Sequence, residues 1–424
     1  MLSIDYTASL IDQKALRTIM DMLLPEIERL ACIHKQPEKS PYSFVNLPFD
    51  NCITDSIEPL IIRKKSLGIK LVLLIGIGGS NLGTLGIFQA LFGNFFNDLN
   101  PACKFYSLDT LDERIVCDLT TIIKGYLESR KNIYIVLITK SGTTVETLAN
   151  GSYFIELLKK YKPTTWQEYI IYITDKYSPL YQHGVCESIE ILEVPKEIGG
   201  RYSIFSNVGL FPLRMLDVNI EQLLEGARAI TQECLTSGYE NIAAITASLM
   251  YAHYTVGRPI HDIFLSSPNY AYLGAWYRQL LAESIGKSGI GITPTVSIAT
   301  ADLHSVLQLY FGGPHNRFST FIDIEEPNCS INIPSVIGEV SYGAGYGFQQ
   351  VSQAIFKGVR QAFVLRERPY NFIKLKNNPY YLGQFLQYKM IEVVYLGFLL
   401  KVNSFDQPEI ELYKQQTRRI LGYE

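Results

Sequence analysis

Residues 131–150, KNIYIVLITKSGTTVETLAN, read as a strand, a hydroxyl-rich turn and a helix in immediate succession. The apolar, β-branched run at 133–139 has the length and composition of a strand buried on both faces. It stops at Lys140-Ser141-Gly142-Thr143-Thr144, and 145–158 then has helical spacing with good helix formers apart from Gly151. A strand that is apolar on both faces must be covered on both, which calls for a parallel sheet between layers of helices. The turn gathers hydroxyls and backbone N–H groups at a helix N-terminus, where the partial positive charge favours an anion. Two readings follow for Ser141, Thr143 and Thr144: a phosphate cradle, or plain caps for the helix.

The same unit recurs upstream. The strand at 71–75 ends in Gly76-Ile77-Gly78-Gly79-Ser80, and 82–92 reads as a helix. Asn81 stands where the dinucleotide fingerprint needs glycine, and Asp109 lies beyond that motif's usual spacing of about 20 residues. No Gly-Lys-Ser/Thr follows, so this is no Walker A loop either. The Gly-Gly-Ser turn either admits a ligand close to the backbone or serves only as a tight bend. Further strands at 104–108, 169–174 and 189–194 alternate with helices. In such sheets ligands sit beyond the carboxyl ends of the strands, the edge that carries both turns.

A second α/β series follows, with strands at 260–265, 295–298 and 318–324 and helices at 220–235, 242–256, 273–285, 348–365 and 382–400. The N-terminal stretch has helical periodicity over 8–32, a loop at 41–48 and an amphipathic segment at 53–67. The expected division is an N-terminal helical arm (1–50), a first α/β domain (51–215) and a second with C-terminal helices (216–424).

Hydrophobic residues make up 47% of the 424 and charged residues 19%, ample for sizeable cores. The net charge is −3 with no basic stripe, so neither nucleic acid nor an anionic membrane is an expected partner. Seven scattered cysteines without C-x-x-C spacing argue against a disulfide framework or zinc site and for a reducing compartment. The most apolar helical run, 390–400, holds Glu392 between Lys389 and Lys401 and is too short to span a bilayer. The expectation is a cytoplasmic protein.

Several residues carry chemistry by type and setting. Gly199-Gly200 lets the backbone bend before Arg201, which is then either a guanidinium turned inward, suited to stabilising an oxyanion, or a surface arginine after a turn. Gln279 and Glu283 lie one helical turn apart on one face, and Glu283 is also i, i+4 with Lys287. A surface Glu–Lys pair is one reading; a carboxylate beside the Gly-rich exit at 286–291, facing a cleft, is the other. His304 falls at a strand-to-helix junction, as a proton carrier or as a capping or core histidine.

Taken together and in order, GIGGSNLG, TKSGTTVET, IGGRYSIFSNVGL, WYRQLLAESIGK, TADLHS and NSFDQPEIELYK resemble the glucose-6-phosphate isomerase (phosphoglucose isomerase) family, compact bacterial type, from about residue 70 to the C-terminus. The resemblance implies two SIS (sugar isomerase) domains, each a doubly wound parallel sheet flanked by helices, with helical extensions at both ends. It implies a homodimer with a shared active site, no cofactor and no metal, and a small sugar phosphate as substrate. Its reaction is the reversible conversion of glucose 6-phosphate and fructose 6-phosphate in glycolysis and gluconeogenesis.

Residue by residue, the resemblance implies that Ser141, Thr143 and Thr144, with the backbone near Lys140, hold the phosphate. Gly79 and Ser80 close around the substrate. Glu283 moves a proton between C1 and C2, and Arg201 stabilises the cis-enediolate. His304, from the neighbouring subunit, and Lys414 move protons between O1 and O5 during ring opening, while Gln279 and Gln407 position the sugar. Two positions depart from the family pattern: Glu409 stands where glycine usually follows Gln-Pro, and Thr139 replaces a common serine. The alternatives are a non-catalytic SIS module that binds sugar phosphates, and an isomerase acting also on mannose 6-phosphate.

Overall fold

The computed structural model describes residues 2–325, 331–334 and 345–422; Cys329 lies outside them. The chain builds two five-stranded sheets. The strands are β1 (Ser3–Asp5), β2 (Ile69–Ile75), β3 (Lys104–Leu108), β4 (Asn132–Ile138), β5 (Ile170–Thr174), β6 (Glu190–Glu193), β7 (Ile260–Leu265), β8 (Thr293–Ile298), β9 (Arg317–Glu325) and β10 (Tyr370–Lys376). One sheet runs β3-β2-β4-β5-β6 and is parallel throughout. The other runs β1-β10-β9-β7-β8, parallel except for β1.

The parallel strands are apolar because both faces are covered. Every residue of β4 from Ile133 to Ile138 is buried, as is all of β5. The doubly wound reading therefore stands.

Three N-terminal expectations are corrected. The 8–32 helix is two helices, Gln13–Met22 and Leu24–Lys35, because Pro25 starts a new helix at its first turn. The 41–48 loop is a 3-10 helix, Pro41–Phe49, whose Phe44, Val45 and Leu47 are buried. The arm is not only helical: β1 closes the second sheet against β10, its Ile4 opposite Ile373. A three-residue strand has no period to read, and β10, which alternates exposed Lys374 and Lys376 with buried Ile373 and Leu375, lacks the continuous apolar run that marks the central strands.

One large hydrophobic core includes residues of both sheets, and a second, smaller cluster around Phe264, Phe321 and Phe356 packs on the second sheet. Helix Ala271–Ile285, which follows β7, packs across helix Leu82–Phe92, which follows β2. That crossing brings a helix of the second α/β unit to the ligand edge of the first sheet. Helix Pro379–Leu400 is buried along nearly its whole length and packs on helices Ile220–Cys234 and Ile242–Thr255. Its two charged residues, Lys389 and Glu392, pair with each other in the core at 2.9 Å. Among the described residues no helix is long and apolar enough to cross a membrane.

Candidate active site

After β2 the chain moves to β3 on one side of the first sheet, then returns to place β4 on the other side. The order reverses between β2 and β4, so a crevice opens beyond their carboxyl ends. The 76–80 turn follows β2 and the 140–144 turn follows β4, one on each side of it. Asn81, which breaks the dinucleotide pattern, is buried and donates to the Asp109 carboxylate at 3.1 Å, tying the ends of β2 and β3 together.

The 140–144 turn closes with Gly142 N–H donating to Thr139 O, and Gly142 takes a left-handed φ of 64°. Its hydroxyls face one another. Thr144 Oγ1 meets Thr139 Oγ1 at 2.9 Å, and Ser141 Oγ accepts from the Thr143 amide and hydroxyl at 3.2 and 3.0 Å. Thr144 is the N-cap residue of helix Val145–Tyr161, yet its side chain makes no cap hydrogen bond to that helix. The capping reading of these hydroxyls therefore lacks its hydrogen bond. The helix N-terminus retains its electropositive character toward the crevice edge. Lys140 Nζ donates to Ile198 O at 2.9 Å, and burial lowers its pKa, with Asp175 and Glu197 opposing that shift.

The 78–80 turn packs backbone to backbone on the turn Gly200–Tyr202. Ser80 is half-buried, its N–H closing the turn on Ile77 O at 3.2 Å. Arg201 is only 2% exposed, and its donors are all engaged. Nε donates to Ser284 Oγ (2.8 Å), Nη1 to Gln407 Oε1 (2.8 Å) and Glu283 Oε2 (3.3 Å), and Nη2 to Ser404 O (2.7 Å) and Asp406 O (3.2 Å). Tyr202 OH joins Ser284 Oγ at 2.9 Å from the same side.

Glu283 sits at the centre of this group. Its Oε1 accepts from Gln279 Nε2 at 3.0 Å and its Oε2 from Arg201, while its side chain keeps 31% exposure. Of the two readings for Glu283, the surface pair with Lys287 is not the one formed. Lys287 Nζ instead reaches the carbonyls of Glu283 and Ser284 and the carboxylate of Asp406.

The structure thus brings Arg201, Gln279, Glu283 and Gln407 together beside the Gly79–Ser80 turn. It does not bring in His304 or Lys414. His304 is exposed on the short helix Ala301–Ser305, and among the described residues no hydrogen bond joins it to this group. Lys414 lies on helix Glu411–Ile420 and pairs with Glu411 at 2.7 Å. The sequence reading missed Ser284, Tyr202 and Ser404, which seat the guanidinium. Ser284 and Tyr202 adjoin residues it had singled out; Ser404 left no signal, because its carbonyl, not its side chain, does the work. A cleft of about 990 Å³ lies beside Lys140 and Ser141 but is lined by neither Glu283 nor Arg201. The converging side chains, rather than cavity size, mark the chemistry.

The family model described as phosphoglucose isomerase matches residues 64–314, which hold both turns, Arg201 and Glu283. The chain belongs to the phosphoglucose isomerase family. Its relatives in that family include the glucose-6-phosphate isomerase of Carboxydothermus hydrogenoformans, 30% identical over 93% of this chain and 88% of the relative. The Thermus thermophilus glucose-6-phosphate isomerase is 31% identical over 94% of this chain and 95% of its own. Among solved structures, a hypothetical protein of Thermus thermophilus superposes over 100% of both chains with a TM-score of 0.87 at 28% identity. A glucose-6-phosphate isomerase from Chlamydia trachomatis shares the phosphoglucose isomerase fold with this chain, at a TM-score of 0.79 and 20% identity over 99% of this chain and 88% of its own.

Proposed function

We propose that the chain interconverts glucose 6-phosphate and fructose 6-phosphate through a cis-enediolate, without a cofactor or metal. The observation that carries this reading is the Glu283 carboxylate held between Gln279 Nε2 and Arg201 Nη1 at the crevice edge, in a chain of this family.

The phosphate sits on the 141–144 turn, where uncapped amides and the hydroxyls of Ser141, Thr143 and Thr144 receive it. No cation is then needed near the reacting carbons. Gly79 and Ser80 close over the sugar, and Gln279 and Gln407 orient its hydroxyls. Anchoring at one end holds C1 and C2 over Glu283. Glu283 takes the proton from one carbon and returns it to the other, leaving negative charge on oxygen in between. The Nη1 donor of Arg201 now spent on Glu283 is released as that carboxylate gains the proton, and the enediolate oxygen takes it. The other Arg201 bonds keep the guanidinium still, so stabilising the oxyanion requires no reorganisation.

Ring opening moves a proton between O5 and O1, the work assigned to His304 and Lys414. The family resemblance assigns His304 to the site of a second copy, which makes a homodimer the working form; its exposed position apart from Glu283 leaves it free for that role. The described cysteines are all free, in keeping with the reducing cytoplasm.

Fructose 6-phosphate supplied to the purified chain with a chelator present is expected to give glucose 6-phosphate. Binding of sugar phosphate without turnover would sink this reading in favour of a regulatory SIS module and direct attention to Glu409.

A further inference from the structure

Lys287 has an unusual position for a residue next to a glycine-rich exit. Its side chain is 9% exposed. Its ammonium donates to Glu283 O at 3.0 Å and Ser284 O at 2.7 Å, the open carbonyls of the last turn of helix Ala271–Ile285. It also donates to Asn403 O and faces an Asp406 carboxylate oxygen at 3.3 Å. The first two acceptors belong to the helix that carries Gln279 and Glu283. The last two belong to the 403–407 segment, which supplies Ser404 O, Asp406 O and Gln407 to Arg201.

A lysine near a helix C-terminus commonly satisfies its last carbonyls and complements its dipole. Here the same ammonium also holds a second chain segment from well over 100 positions away. The sites that it joins are the two walls of the Arg201 seat: Ser284 on the helix side, Ser404 and Asp406 on the other.

We infer that Lys287 is a positioning residue for the isomerisation: it clamps the 403–407 segment to the end of the Glu283 helix and thereby sets where the Arg201 guanidinium stands relative to the Glu283 carboxylate. This inference rests on the function proposed above. Lys287 touches neither the phosphate turn nor the open side of Glu283, so its effect falls on the chemical step and not on anchoring the substrate. A shift of about 1 Å in such a pair is worth about 100-fold in rate.

The test uses the whole chain with Lys287→Met, and with Asp406→Asn, which keeps an oxygen acceptor but removes the charge that faces the Lys287 ammonium. Wild-type turnover is measured first; its absence would defeat the proposed function and leave Lys287 aside. Given turnover, Lys287→Met is expected to lower kcat by about 10- to 100-fold. KM for fructose 6-phosphate and the inhibition constant of inorganic phosphate should stay within about threefold. A sugar-phosphate hydroxamate, which carries the charge of an enediolate, should lose affinity in step with kcat/KM. Asp406→Asn should shift the same quantities in the same direction by a smaller factor, and serves alone if Lys287→Met does not fold. Unchanged kcat in a folded variant would overturn the inference. So would a parallel loss of phosphate affinity, the mark of general loosening.

Discussion

A Cβ placed on Gly79 would stand 2.2 Å from the carbonyl carbon of Gly200 and 2.6 Å from the Arg201 amide nitrogen. The two turns that flank Arg201 meet there backbone to backbone, and no side chain can yield. The relationship is not reciprocal: a Cβ on Gly200 would meet Gly79 Cα at 3.6 Å and its carbonyl carbon at 3.9 Å, both ordinary contacts. Gly79→Ala is therefore expected to cost at least about 100-fold in kcat/KM, because Arg201 must move. Gly200→Ala should stay within about tenfold of wild type by the same reasoning. Steady-state rates of the two variants side by side decide it, and equal losses would contradict the packing described.

Glu283→Gln keeps the shape and the Gln279 neighbour but removes the base. Turnover should fall by about 10²–10⁴-fold, the range that positioned acid–base catalysis supplies. Exchange of a C2 deuteron with solvent should disappear with it. Inorganic phosphate should still compete for the site, since the 141–144 turn is untouched. Retained exchange would remove Glu283 from the role of base.

Ser141→Ala separates the cradle from the cap. Because Ser141 is exposed and bonds within the turn rather than to an amide of helix Val145–Tyr161, unfolding in urea should change by less than about 0.5 kcal/mol, as for an exposed substitution. A true cap would cost about 1 kcal/mol. Affinity for inorganic phosphate should weaken several-fold. The reverse pattern, lost stability with intact phosphate binding, would favour the cap.

His253 is buried and stacked on Phe318 at 4.5 Å, with Arg258 Nη1 3.3 Å from its Nδ1. Burial first, and then the Arg258 charge, lower its pKa to about 3. The unfolded chain binds a proton below about pH 6.5 that the native chain refuses. Its stabilising effect is thus complete above pH 6.5 and is lost as the pH falls toward 3, at up to about 1.4 kcal/mol per unit. Buried His261 is shifted in the same direction, also by burial first. Urea unfolding at pH 7.5 and pH 5 should show a clear loss at the lower value, smaller in His253→Phe. Identical slopes in the two proteins would exclude this residue as a source.

Lys389 and Glu392 are 1% and 0% exposed, and Tyr388 OH also donates to Glu392, at 2.9 Å. Lys389→Met leaves that carboxylate buried without its cation, which costs about 3–5 kcal/mol. Lys389→Met with Glu392→Leu should be markedly more stable than the single variant, because no charge is then stranded. Thermal unfolding of both, compared with wild type, measures the difference.

The sheet architecture was legible because a strand covered on both faces writes its burial into continuous apolar runs, as in 71–75 and 133–139. The turns at 76–80 and 140–144 were legible because unusual backbone geometry needs glycine and hydroxyl residues in a short window. The strands Ser3–Asp5 and Tyr370–Lys376 were not, one being too short for a period and the other half-exposed. The same local logic made Lys287 look like a partner for Glu283, one turn away, when its partners are carbonyls and Asp406.

The amino-acid sequence by itself determined which residues can do chemistry and on which edge of a parallel sheet the two turns lie, since both follow from residue type and periodicity. Only the tertiary structure decided that Arg201, Glu283 and Gln407 meet, that Lys389 and Glu392 face each other in the core, and that His304 stays apart. Those relationships span up to 206 positions and run partly through backbone carbonyls. A carbonyl is present at every residue, so no residue type announces which one the fold will use.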